Sequence, residues 1–192
     1  MEETRISALI DRYSGLVLDA FGVLIDSGGA LPGAGELVER LNRTGKPYYI
    51  VTNDASLLPG AWARRFSSFG LPIEEDRIVT SGSLLKPYFA AHGLAGARCL
   101  ALGPPDSLGY VKLAGGQVVP PSGSFDAVVI LDQSGFPFLE AMNAALTAMF
   151  RKLDRGERLE ILLPNSDLVF PAAGGSFAFA SGSLALMFEA AL

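Results

Sequence analysis

Asp19 closes the apolar run Leu16-Val17-Leu18 and is followed at once by Ala20, Phe21 and Gly22. A carboxylate there can serve as a nucleophile or a cation ligand, and Gly22 permits a tight turn directly behind it. Thirty-three positions later, Thr52, Asn53 and Ser56 close a second apolar run within Val-Thr-Asn-Asp-Ala-Ser. Hydroxyl and amide donors at such a point suit a phosphate, whose oxygens accept hydrogen bonds. Each stretch also has an ordinary structural reading. Asp19 could be a turn acid or helix cap, and Asn53, Asp54 or Ser56 could cap a following helix. Against the first, Gly22–Ile25 stays apolar and shows no helix start. Neither stretch is specific alone; the pair points to one site.

Both stretches need strands to carry them. Leu16–Ala20 reads as a buried parallel strand, because aliphatic residues follow one another without polar alternation. A helix is predicted from about Ala34 to Thr44, and a second strand in Lys-Pro-Tyr-Tyr-Ile-Val-Thr-Asn ends at Thr52. A helix near Leu58–Phe69 spaces Trp62, Phe66 and Phe69 on one face. Arg-Ile-Val-Thr-Ser-Gly is a third short strand, and the helix after it contains Pro87, which must kink it or confine it to one side. This alternation predicts a parallel sheet with right-handed crossovers. In such sheets ligands bind outside the carboxyl ends of the strands, where Asp19 and Thr52 fall.

From Ala97 the texture changes to short strands in Ala97–Gly103, Gly116–Pro120, Phe125–Asp132 and Glu160–Pro164, separated by Pro/Gly-rich loops. A long helix over about Pro137–Leu153 places Phe138, Met142, Leu146, Met149 and Leu153 at core spacing. These elements predict a second, smaller α/β domain.

Composition narrows the partners. The 192 residues are 49% hydrophobic and 18% charged, with a net charge of −5. An acidic chain with pI near 4.9 lacks the basic face that nucleic acid requires. Cys99 is the one cysteine, which excludes an intrachain disulfide and suits a reducing, cytoplasmic setting. Residues 168–188 carry no charge over a length that could span a membrane, yet Pro171, Gly174, Gly175 and Gly182 break them up. They read as a strand end, a glycine-rich loop and a helix start, so no membrane segment is expected.

Taken together, LVLDAFGVLIDSGGALPGAGELVERL, GKPYYIVTNDAS and RIVTSG resemble the haloacid dehalogenase superfamily, in its class IIA, p-nitrophenyl-phosphatase-like branch. FDAVVILD, LLPNSDLVFP and SGSLALMFEAA resemble that branch's large α/β cap. The resemblance runs from Leu16 to Leu192. It implies a doubly wound parallel core, an inserted or appended cap, and an aspartyl-phosphate formed on Asp19. Thr52 matches the phosphate-binding hydroxyl, Asn53 helps define the site, and Asn165 and Asp167 lie in the cap's matching loop. The implied cofactor is Mg²⁺, with Asp19 and the Phe21 backbone carbonyl as ligands. The implied partner is a small phosphorylated metabolite. The domains expected are a core over 1–96, a cap over 97–180, and the start of a returning helix over 181–192.

Two departures from the family matter. Its phosphatases carry a second aspartate two residues after the nucleophile, which protonates the leaving group and then activates water; here that position is Phe21. An aromatic there resembles the dehalogenase branch, but the interval between the two motifs holds only a loop and one helix, which favours the phosphatase branch. The family also places a lysine and further metal-binding aspartates after the cap, beyond Leu192. An incomplete core is therefore expected, with the Asp19 strand at a sheet edge, paired to another copy or part of a longer molecule. Three readings follow: a phosphatase using Asp19, an impaired relative that binds phosphometabolites, and a dehalogenase-like hydrolase. Among other residues, His92 reads as a helix C-terminal histidine, Cys99 as a small core residue, and 151–158 as a solvated helix end.

Overall fold

The computed structural model describes residues 6–192. They form two compact units, one running through Thr52 and again from Pro59 to Val79, the other comprising Asn53–Leu58 and Thr80–Leu192.

The first unit opens with helix α1 (Ile6–Arg12) and strand β1 (Leu16–Leu18). A small hairpin follows, β2 (Ile25–Asp26) and β3 (Gly29–Ala30), which the sequence reading did not anticipate. Its turn is Asp-Ser-Gly-Gly, and the Asp26 carboxylate accepts the Gly28 N–H at 2.7 Å. Such a side-chain bond to the backbone two residues on mimics a turn and stabilises the reversal. Helix α2 (Ala34–Arg43) buries Ala34, Val38 and Leu41, which share one helical stripe.

Strand β4 (Tyr48–Thr52) pairs parallel with β1, Leu16 opposite Tyr48 and Leu18 opposite Ile50. Helix α3 (Pro59–Ser68) starts on a proline, whose missing N–H would have no helical partner in the first turn. It buries Trp62 and Phe66 completely. Strand β5 (Ile78–Thr80) lies on the other side of β4, which leaves β1 at the edge of this three-stranded sheet.

In the second unit, Ser81–Leu84 makes a tight 3₁₀ turn into α4 (Leu85–His92). Pro87 is the third residue of α4, so it sits in a turn whose N–H groups have no partners within the helix, and no kink results. His92 ends α4, its Nδ1 2.9 Å from the Tyr88 carbonyl. Strand β6 (Arg98–Leu102) is followed by α5 (Leu108–Leu113), which the sequence reading took for loop because Gly103, Pro104, Pro105 and Gly109 crowd its start. Next come β7 (Gln117–Val118), β8 (Ala127–Ile130), α6 (Phe138–Asp154) and β9 (Glu160–Leu162). The four strands form a wholly parallel sheet in the order β7-β6-β8-β9.

One face of this sheet packs Cys99, Ala101, Ala127 and Val129 with Leu85, Phe89, Tyr110 and Val111. The other packs Leu100, Leu102, Val128 and Ile130 against Ala141, Met142, Ala145 and Met149 of α6. The seam of α6 therefore differs from the expected stripe: Phe138 and Leu153 are exposed, and two alanines take their place. Small side chains let the helix approach the sheet closely. The chain ends with the hairpin β10 (Val169–Pro171) and β11 (Phe177–Phe179), then α7 (Ser181–Ala191), whose Leu184 and Phe188 join the second face. The glycine-rich stretch after Pro171 is thus a hairpin loop. No described helix is long and apolar enough to cross a membrane.

Candidate active site

Asp19 stands one residue beyond β1, with its side chain exposed. Its Oδ1 accepts the Ala20 N–H at 2.7 Å. Behind it the chain closes on itself instead of starting a helix. The Ala20 carbonyl accepts Leu24 N–H at 2.9 Å and Ile25 N–H at 3.0 Å, and Gly22 N–H donates to the Ile25 carbonyl at 2.8 Å. Gly22 has φ +76°, the left-handed region in which a side chain is strained.

Thr52 is the last residue of β4 and is buried. Since Leu18 lies opposite Ile50, Asp19 and Thr52 leave the same ends of adjacent parallel strands. Both therefore lie at the carboxyl end of this sheet, Asp19 exposed and Thr52 buried.

Phe21 is held by aromatic packing. Its ring meets Trp62 edge-on, centroids 5.8 Å apart and planes at 82°. Trp62 packs in turn on Phe66 at 5.2 Å, and the Arg65 guanidinium lies 4.9 Å over the indole. Edge-to-face pairs of this kind add about 0.5–1.5 kcal/mol beyond burial.

Asn53, Asn165 and Asp167 meet within the second unit. The Asn53 amide donates to an Asp167 carboxylate oxygen and to Asn165 Oδ1, the latter at 3.4 Å. The Asp167 N–H also donates to Asn165 Oδ1, at 2.9 Å. This loop is anchored on α7. Ser181 Oγ donates to the Asn165 carbonyl at 2.9 Å and Gly182 N–H to the Asp167 carbonyl at 2.9 Å. A Cβ at Gly182 would fall on the Ser166 and Asp167 carbonyl oxygens, so the close approach requires glycine.

Residues that sequence reasoning missed hold Asn53–Leu58 in place. Ser81 Oγ donates to the Asn53 carbonyl at 2.6 Å, and Leu58 N–H donates to Asp106 at 2.6 Å. The Tyr110 hydroxyl donates to the Leu57 carbonyl at 2.5 Å and lies 2.6 Å from Thr80 Oγ1. Burial pushes the Tyr110 phenol up to about 12, so it remains a donor. Nothing near Tyr110 in sequence signals this role, because its partner Leu57 is 53 residues away.

At the carboxyl end of β8, Asp132 accepts the Ser134 N–H at 2.8 Å and its hydroxyl at 2.7 Å. Burial raises the Asp132 carboxyl above its ordinary range; the Ser134 bonds oppose that shift and the Asp54 charge adds to it. Cys99 is fully buried, and burial pushes its thiol up to about 11, in keeping with a packing role.

The oxygens expected to bind Mg²⁺ fall short of its needs. Asp19 and the Phe21 carbonyl supply two protein donors, whereas Mg²⁺ demands near-octahedral coordination. Among the described residues no group of three or more His, Cys, Asp or Glu side chains could hold a metal ion. The residues described do not make a complete site for this ion.

A strand-end aspartate and a strand-end threonine on adjacent parallel strands are in keeping with the resemblance to the haloacid dehalogenase class. The haloacid dehalogenase-like hydrolase family matches residues 16–117, and the chain belongs to that family. Within it, the relatives are of class IIA, the p-nitrophenyl-phosphatase-like branch. A structure described as a possible sugar phosphatase from Cytophaga hutchinsonii superposes with TM-score 0.84 at 30% identity, covering 99% of this chain and 68% of that one. A 4-nitrophenylphosphatase from Thermotoga maritima shares the fold, with TM-score 0.76 at 22% identity over 95% of this chain and 66% of that one. Chronophin from Bos taurus is 35% identical over 122 residues, which are 60% of this chain and 38% of chronophin. The chain therefore matches well under half the length of that curated relative.

Proposed function

We propose that the chain carries the nucleophile of a phosphatase acting on a small phosphomonoester. The observation that carries this reading is the β1–β4 register, which sets Asp19 and Thr52 at the same ends of neighbouring strands. The Asp19 carboxylate attacks phosphorus, the ester P–O bond breaks, and an aspartyl-phosphate forms. Thr52 donates its hydroxyl to a phosphoryl oxygen. Water then attacks phosphorus, the P–O bond to Asp19 breaks, and inorganic phosphate leaves. Asn53, Asn165 and Asp167 act on the cap side, where they shape the substrate's surroundings. The domain reading remains 1–96 core, 97–180 cap and 181–192 returning helix, in a cytoplasmic setting. A phosphometabolite-binding module is the second reading. Phe21 favours it, because phenylalanine cannot move a proton.

The test is Asp19→Asn in the purified chain with p-nitrophenyl phosphate. Turnover should fall to background while circular dichroism and orthovanadate binding are retained, since an amide nitrogen is no nucleophile. Undiminished turnover would overturn the covalent mechanism.

A further inference from the structure

We propose that the second unit carries a small-molecule site of its own beside the carboxyl half of β6, and that its ligand is a flat aromatic acid. The site uses none of Asn53, Asn165 and Asp167 and does not depend on the role given to Asp19. It arises because β7 is short. The two residues of β7 pair with Arg98 and Cys99, and the last rung is the Val119 N–H donating to the Cys99 carbonyl at 3.0 Å. Pro120 and Pro121 follow, and neither has an N–H to continue the ladder. On its other side β6 is paired with β8 from Cys99 to Leu102, and the Leu131 N–H donates to the Leu102 carbonyl at 2.8 Å. Successive residues of a strand turn their backbone groups to opposite sides, so those of Leu102 face β8 and those of Ala101 face the gap beyond β7. Ala101 is only 9% exposed, yet no described residue bonds its N–H or carbonyl on that side. Backbone groups so deeply placed normally have partners.

The gap is a cavity of about 480 Å³, within the range of small-molecule sites. Leu108 and Lys112 of α5 wall it on one side, and Phe136 and Pro137, leading into α6, wall it on the other. Its place in the topology points the same way. From β6 the chain passes through α5 to β7 at one edge, and from β8 through α6 to β9 at the other, so the strand order reverses between β6 and β8. Open α/β sheets bind ligands outside the carboxyl ends of their strands at such a point. The loops leaving both strands reach the cavity, at Gly103 and Gly135, and they are pressed together: a Cβ at Gly135 would fall on Pro104. Prolines and Phe136 give the cavity stiff apolar walls that suit a flat ring. Lys112 is the one charged side chain in the lining and has no ion-pair partner among the described residues, which leaves it free to face an anion. The Ala101 carbonyl accepts a hydrogen bond from a donor on the ring. A peptide strand fits less well, because strand addition relies on several main-chain bonds and this edge offers one residue.

The experiment titrates the ¹⁵N-labelled full chain with indole-3-acetate, which combines a flat ring, a ring N–H and a carboxylate, and follows the backbone amides by NMR. Tryptophol, in which a neutral hydroxymethyl group replaces the carboxylate, and 1-naphthylacetate, which lacks the ring N–H, are titrated beside it. The expected result is saturable shifts centred on Ala101, Gly103, Lys112 and Phe136, half-complete at or below about 1 mM, as befits a ligand of this size. Tryptophol should bind about 5-fold more weakly, the upper end for an exposed charge pair. 1-Naphthylacetate should bind roughly 2–10-fold more weakly, the net worth of one hydrogen bond. Lys112→Gln should lower the affinity for the acid to that for tryptophol and leave tryptophol binding unchanged, a pattern that loss of folding does not produce. No saturable shift up to about 10 mM, shifts centred elsewhere, or equal binding of the acid and tryptophol by the unaltered chain would each overturn the proposal. Equal binding of 1-naphthylacetate would overturn the part given to Ala101.

Discussion

The two parallel sheets of this chain treat their faces in opposite ways. Along β4, Tyr48, Ile50 and Thr52 are buried while Tyr49 and Val51 are exposed. Val17 and Val79 of the flanking strands are exposed as well, Val17 by 71%. In the second unit all four residues of β8 are buried, because residues of α4 and α5 lie on one face and those of α6 and α7 on the other. Parallel strands are normally covered on both faces and read as continuous apolar runs. Both sheets have such runs in sequence, yet only the second is covered on both sides by described residues. Apolar composition thus marks what a strand can bury; the helices packed on it decide what it does bury.

That contrast can be broken by mutation. Phe89 is fully buried against the second sheet, so Phe89→Ala should cost about 3–5 kcal/mol, read from the denaturation midpoint of that unit. A loss below 1 kcal/mol would mean that this face is looser than its burial indicates. A matched pair sharpens the point: Val129→Thr places a hydroxyl in a fully buried strand and should cost about 1–3 kcal/mol. Val51→Thr, on the exposed face of β4, should stay within about 0.5 kcal/mol. Equal costs at the two positions would show that the bare face is covered in solution.

Tyr110→Phe probes the tether rather than the sheet. It leaves the Leu57 carbonyl without its donor and should destabilise the second unit by about 1–3 kcal/mol. Faster amide exchange across Asn53–Leu58 would accompany it. The smallest effect is expected at Asp132. Its folded-state pKa is raised by burial, so the folded form binds the proton more tightly than the unfolded chain does. Stability from this group is fully present below the unfolded value, about 4, and is lost as pH rises through the folded value. Asp132→Asn should therefore stabilise the protein at pH 7 and gain little at pH 3. A thermal-melt series across that range checks the sign.

Much of the framework was legible in the sequence. The aliphatic run before Asp19, the strand ending at Thr52, the helix from Ala34 and the strand at Ile78 all follow from neighbouring residues, since local hydrophobic periodicity and turn-formers set them. The placement of Asp19 and Thr52 at the carboxyl ends of parallel strands followed from the alternation of strands and helices. The β2–β3 hairpin escaped because its strands are two residues long, too short for alternation to show. Helix α5 escaped because its first turns are rich in proline and glycine.

What the sequence by itself determined is the order of elements and the chemistry offered at Asp19, Phe21 and Thr52, because these depend on residue type and immediate neighbours. Only the tertiary structure decided that Phe21 would meet Trp62, that α6 would seat its alanines instead of Phe138 and Leu153, and that Tyr110 would tether Leu57. Those contacts join residues 41 and 53 positions apart, or select one helical face among several apolar ones. They are fixed by which surfaces fit together once the chain has folded, and no local pattern encodes that fit.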